Sequence, residues 1–200
     1  MHLYHSPASP YVRKVLVTLH ETGQDDAVTL VASEQTPLSP DPGNVSQNPL
    51  GKIPTLARPD GPALYDSRVI CRYLDHRAQA GLYPERRVWE VLTLEATADG
   101  ILDAAVLMVY EARVRPEEKR FPDYFEAQWA KITRALDALE ARWMSHLSGP
   151  LDMGQIAVGC ALGYLDFRHG DRAWRPARPA LAAWFERFDA RPSMAGTRPH

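Results

Sequence analysis

The chain of 200 residues is 45% hydrophobic and 24% charged, close to the globular averages of about 45–50% and 25%, which excludes a disordered or low-complexity chain. Its 23 Lys and Arg against 25 Asp and Glu give a net charge of -2, so there is no excess positive field to draw nucleic acid or anionic lipid. Two cysteines, Cys71 and Cys160, are too few for a disulfide framework or a zinc site and suit a reduced, cytoplasmic compartment.

The longest charge-free apolar run, Met153 to Leu165, is thirteen residues, against about 20 needed to cross a bilayer. Neither a membrane span nor a secretory leader is expected, because the N-terminal residues lack a basic stretch followed by an apolar one.

In chain order, His2 to His5 reads as a short strand. Val12, Val15, Leu16 and Leu19 then fall at i, i+3, i+4 and i+7 and mark an amphipathic helix. Ser9 is its expected N-cap, Pro10 its first residue and Gly23 its left-handed stop. Ala27 to Val31 alternates as a second strand. Gln35 to Pro49 holds four prolines and cannot form a long helix. Ile53–Leu56 and Ala63–Tyr65 flank the turn residues Pro59-Asp60-Gly61 as a hairpin, and Ser67 caps a helix carrying Val69, Ile70, Tyr73 and Leu74.

From Arg86 onward the apolar spacing is helical: Val88 to Glu111, Asp123 to Leu147, Ile156 to Phe167 and Leu181 to Phe188. Asp152 with Gln155 three residues on is a capping box, and Leu151 with Ile156 a hydrophobic staple. Gly159 and Gly163 lie four apart, a spacing that lets a second helix approach closely. Two domains are expected, 1–80 and 86–200. The fold class is α/β followed by all-α.

Several common sites are absent. There is no Gly-x-Ser-x-Gly elbow and no His-Glu-x-x-His, and Gly51-Lys52 is followed by Ile53 where a phosphate-binding loop needs Ser or Thr. His2 and His5 lack partners at metal-ligand spacing.

Three segments remain: Ser6-Pro7-Ala8-Ser9-Pro10-Tyr11, Asn48-Pro49-Leu50-Gly51-Lys52-Ile53-Pro54, and Asp66-Ser67-Arg68-Val69-Ile70. Together they resemble the thioredoxin-like N-terminal domain of the cytosolic glutathione transferases, built on a mixed four-stranded sheet. The helical remainder is similar to that family's C-terminal domain. The chain looks closest to a bacterial subgroup with Ser-Pro-(aromatic)-Val-Arg-Lys at the first helix and an Ala-Asp-Gly-Ile segment, here Ala98 to Ile101.

The resemblance implies a co-substrate, glutathione, and no metal. It implies a cis bond before Pro54, the isomer that X-Pro bonds reach at about 0.5–1 kcal/mol, with the Ile53 backbone pairing to the cysteinyl part of glutathione as an added strand. Asp66 and Ser67, at a helix N-terminus, suit the charged γ-glutamyl end, and Lys52 suits the glycyl carboxylate.

Ser9 is the candidate catalytic residue, with Ser6, Tyr4 and Tyr11 as competing hydroxyls. A free thiol of pKa about 8.5 is about 3% ionised at pH 7, and a depression of about two units, about 2.7 kcal/mol, makes it about three-quarters ionised. A hydroxyl hydrogen bond together with a helix N-terminus is of that size. Cys stands at Ser9 in redox-active relatives, so protein-thiol chemistry there is ruled out.

The electrophile's site is expected against the fourth helix, at Leu107, Met108, Tyr110 and Arg113, and Asp99 is a candidate supporting group. The expected unit is a homodimer acting on small electrophiles in detoxification. Peroxidase, isomerase and dehalogenase chemistry stay open, and the alternative is a glutathione-binding regulatory or interaction module without turnover.

Overall fold

The computed structural model describes residues 1–200 and divides them into two compact units, Met1–Arg86 with Pro192–His200, and Arg87–Arg191. Residues 192–200 therefore group with the first unit, whereas the sequence placed them in a helical domain over 86–200.

The first unit carries four strands, β1 (His2–His5), β2 (Thr29–Ala32), β3 (Thr55–Arg58) and β4 (Gly61–Leu64), in the order β2-β1-β3-β4. β1 pairs parallel with β2 and antiparallel with β3, and β3 pairs antiparallel with β4. This is the mixed four-stranded sheet of a thioredoxin-like unit. The strands start up to two residues away from the expected positions, because in four-residue strands the partner's register, here His2 opposite Ala57, outweighs local alternation.

Helix α1 (Pro10–Glu21) begins as its punctuation requires. Ser9 is extended, its side chain accepts from the Val12 N–H at 3.3 Å, Pro10 opens the helix, and Gly23 follows its end at φ 64°. The Gln35–Pro49 stretch contains a single helical turn, α2 (Pro42–Val45), capped by Asp41. Helix α3 (Ser67–Ala78) is capped by Asp66, not Ser67: the Asp66 side chain accepts from the Arg68 N–H, and Ser67 is the first helical residue. Leu3, Val12, Val15, Leu19, Leu56, Ile70, Cys71 and Leu74 form the buried core of the sheet and its helices.

The second unit is all helical: α4 (Val88–Arg113), α5 (Pro122–Arg142), α6 (Met144–Leu147), α7 (Met153–His169) and α8 (Pro179–Asp189). A last turn, α9 (Pro192–Ala195), lies on α1 in the first unit. The Asp152–Gln155 capping box forms with both bonds in place. Helix α7 is buried along nearly its whole length and packs along α4. The two helices approach closely at Gly154, where a Cβ would sit 2.9 Å from the Leu94 Cβ. No helix is long and apolar enough to cross a membrane.

Candidate functional site

Sheet register decides which connections meet. Tyr4 near the end of β1 lies opposite Thr55 at the start of β3, and Leu56 lies opposite Leu64 at the end of β4. The loop after β1, the loop before β3 and the loop after β4 therefore leave from one end of the sheet. Those three loops carry Ser9, Lys52-Ile53-Pro54 and Asp66-Ser67, so the fold gathers at one sheet end all six residues singled out from the sequence.

Ser9 is half-buried. Its N–H donates to the Ser6 carbonyl at 3.0 Å, which fixes the turn into α1. Its side-chain oxygen uses one lone pair on the Val12 N–H and its hydroxyl proton has no acceptor in the chain. A hydroxyl has one donor and two acceptor sites, so the cap and an outward donation are compatible. On the same strand end, His5 keeps Nδ1 buried without a partner, and burial holds its imidazole below the ordinary pKa.

The Ile53–Pro54 bond is cis, as the resemblance implied. β3 begins at Thr55, and no loop or turn hydrogen bond engages the backbone of Ile53. What holds this loop was missed in the sequence. The Lys52 carbonyl accepts from Asn44 Nδ2 at 3.0 Å, Asn48 Nδ2 at 3.0 Å and Thr55 Oγ1 at 2.9 Å. Asn44, Asn48 and Thr55 are all buried, and Asn48 Oδ1 also takes the Leu50 N–H at 3.0 Å. The Lys52 side chain itself is exposed. The signal for it in the sequence is the Asn-Pro at 48–49, since an Asn side chain readily bonds the backbone of its own turn.

Asp66 is exposed and its carboxylate holds the Arg68 backbone N–H at 3.0 Å and guanidinium at 3.1 Å. Partial burial pushes its pKa up, but the hydrogen bond and charge of Arg68, with the charge of Lys14, hold the carboxyl below the usual range. Ser67 is buried at the first position of α3. Arg13 and Lys14 on α1 are buried too, at 4% and 0% exposure, which their place in the helical pattern does not reveal. Arg13 reaches the Met194 carbonyl at 2.9 Å.

In the helical unit, Met108 and Arg113 of the expected α4 wall line a pocket of about 210 Å³. Leu107 and Tyr110 are exposed. Asp99 is buried at 6% exposure, so it is not a solvated side chain. No group of three or more His, Cys, Asp or Glu side chains is placed to hold a metal ion.

A thioredoxin-like unit with three polar loops at one sheet end, joined to an all-helical unit, is the architecture of the glutathione transferases. The family model for the glutathione S-transferase N-terminal domain matches residues 8–77, and that for the C-terminal domain matches residues 122–187. The chain is 35% identical to the uncharacterized GST-like protein YibF of Escherichia coli K12, over all of this chain and 98% of that protein. A glutathione transferase family member from Pseudomonas fluorescens Pf-5, solved with bound glutathione, is 50% identical with a TM-score of 0.97, over 100% of this chain and 98% of the other. A structure of a family member from the same bacterium with bound S-(propanoic acid)-glutathione is 49% identical, with a TM-score of 0.93 and full coverage of both chains. The chain belongs to the glutathione S-transferase family.

Proposed function

We infer that this protein is a glutathione transferase that binds glutathione on its first unit and activates the thiol for attack on a small electrophile. The free N–H and C=O of Ile53 offer strand-like pairing to the cysteinyl backbone. The N-terminus of α3, with Ser67 and Asp66, suits the carboxylate and ammonium of the γ-glutamyl end. Lys52 is the cation for the glycyl carboxylate.

Ser9 donates its hydroxyl proton to the sulfur while α1 adds the positive end of its dipole, and both favour the thiolate. The observation that carries this reading is the state of Ser9: bound as a cap through one lone pair, with its proton uncommitted. Bound glutathione in the Pseudomonas relative supports the ligand. The S-(propanoic acid)-glutathione bound in the other Pseudomonas structure supports room for a substituent on sulfur. The family reading also carries a homodimer, checked by sedimentation at the mass of two chains, and a cytoplasmic setting, checked by fractionation.

The test combines turnover and titration. Aryl halides, epoxides, enals and hydroperoxides are offered with glutathione to native protein and to Ser9→Ala. Native protein conjugates at least one class, and ultraviolet titration of bound thiolate gives a pKa about one to two units higher in the variant, as loss of one charge-assisted hydrogen bond requires. Glutathione binding without turnover on any class would make the protein a binding module, and an unshifted thiol pKa would remove Ser9 from the chemistry.

A further inference from the structure

The pocket of about 210 Å³ in the helical unit has an apolar floor and a cationic wall. Met108 and Phe125 supply apolar surface, and Arg113, Arg168 and Arg172 line it with one acidic residue, Asp171. Arg172 is already neutralised. It holds Glu126 through two hydrogen bonds of 2.9 and 2.6 Å and lies over the rings of Phe125 and Trp129.

Arg113 and Arg168 are different. Neither forms an ion pair within the chain, while Arg115, Arg172, Arg175 and Arg178 all do. The Arg168 guanidinium sits 4.0 Å from the centre of the Phe167 ring and its Nε is buried with no hydrogen-bond partner. The Tyr164 hydroxyl lies against Arg168 and feels the charge of Arg113. A buried guanidinium N–H without an acceptor is unfavourable, and a ligand oxyanion relieves that cost.

We propose that this pocket binds the carboxylate of a small organic acid, with Arg113 and Arg168 as the anion-selective residues. The size agrees. An apolar cavity of about 150 Å³ accommodates benzene, so this one takes a ring with a carboxylate attached. Planar guanidinium groups match the carboxylate geometry better than an ammonium does.

The experiment titrates the full chain with benzoate and with benzamide, its neutral counterpart, following chemical shifts of α4 and α7 resonances. Native protein binds benzoate about tenfold or more tighter than benzamide, the discrimination expected of charge-assisted bonds. Arg113→Ala and Arg168→Ala each lose most of that preference and leave benzamide affinity unchanged. Asp171→Asn, which removes the pocket's only negative charge, tightens benzoate a few-fold and guards against a folding defect being mistaken for lost recognition.

Equal binding of the two probes, or Arg variants that bind benzoate like native protein, would overturn the pocket.

Discussion

Asp66 shows how one side chain holds a helix start through both a backbone bond and a charge. Its carboxylate caps α3 and meets Arg68, and its pKa in the folded chain is held down by that hydrogen bond and charge against the upward push of burial. A depressed folded pKa contributes stability above the unfolded value of about 3.9, and this is lost as pH falls through the folded pKa. The side chain is 57% exposed, so solvent screens the pair and Asp66→Asn costs less than about 1 kcal/mol at pH 7. Asn remains a good cap. Urea unfolding of native and variant chains should therefore differ slightly at pH 7 and converge as pH falls below the unfolded value of about 3.9. A gap that widened on acidification would contradict this linkage. Ser9 as a cap and a helix start near residue 66 were legible in the sequence, because caps and helix starts have local chemistry, although the second cap is Asp66 and not the expected Ser67. The buried Arg13 and Lys14 were not, since in a helical pattern a charged residue reads as solvent-facing until its tertiary partners are known.

The same contrast between local and distant causes runs through the elements. Helix α7 was recognisable from Asp152 and Gln155 alone, and the box closes with Asp152 Oδ1 taking the Gln155 N–H at 3.2 Å and the Asp152 N–H reaching Gln155 Oε1 at 3.1 Å. The sequence did not disclose what else Asp152 holds. Fully buried, its second oxygen meets His146 Nε2 at 2.8 Å, with the Arg87 guanidinium at 3.8 Å. Gln155 in turn donates to the Leu147 and Gly149 carbonyls at 3.0 Å each, which ties the start of α7 to the end of α6. Asp152→Ala removes the cap and takes the hydrogen-bond partner from His146 and the carboxylate from Arg87, so it should destabilise the helical unit by about 3–5 kcal/mol. Asp152→Asn keeps a cap oxygen and should recover at least about 1 kcal/mol of that loss. Denaturant unfolding of both variants measures the difference. An Asn variant as damaged as Ala would mean that the charge pair, and not the cap, holds the element. The strands lacked such a signature. Their four-residue lengths leave too few alternations to fix an end, and neighbouring strands decide it.

At the scale of the whole chain, the two-part architecture was legible from the change of texture near residue 86, but the return of the last nine residues to the first unit was not. That return depends on Arg13 meeting the Met194 carbonyl and Ser193 Oγ donating to Glu21, partners more than 170 residues apart, a pairing no local pattern encodes. The six residues assigned to glutathione all lie in the first unit, so its binding should act there first. Glutathione at about 100 times its dissociation constant should stabilise the binding unit by about 2.7 kcal/mol, and hydrogen exchange should slow in residues 9–21 and 53–78 more than in the helices between Arg87 and Arg191. S-Methylglutathione makes the same backbone and terminal contacts but has no thiol to ionise. Ser9→Ala should accordingly leave protection by the methylated ligand at its native level and reduce protection by glutathione, most strongly at pH values above the native thiol pKa and below the variant's. If the substitution weakened both ligands equally, Ser9 would be a shape contact and not a proton donor to sulfur. If protection fell only on the helical unit, glutathione would be bound there instead.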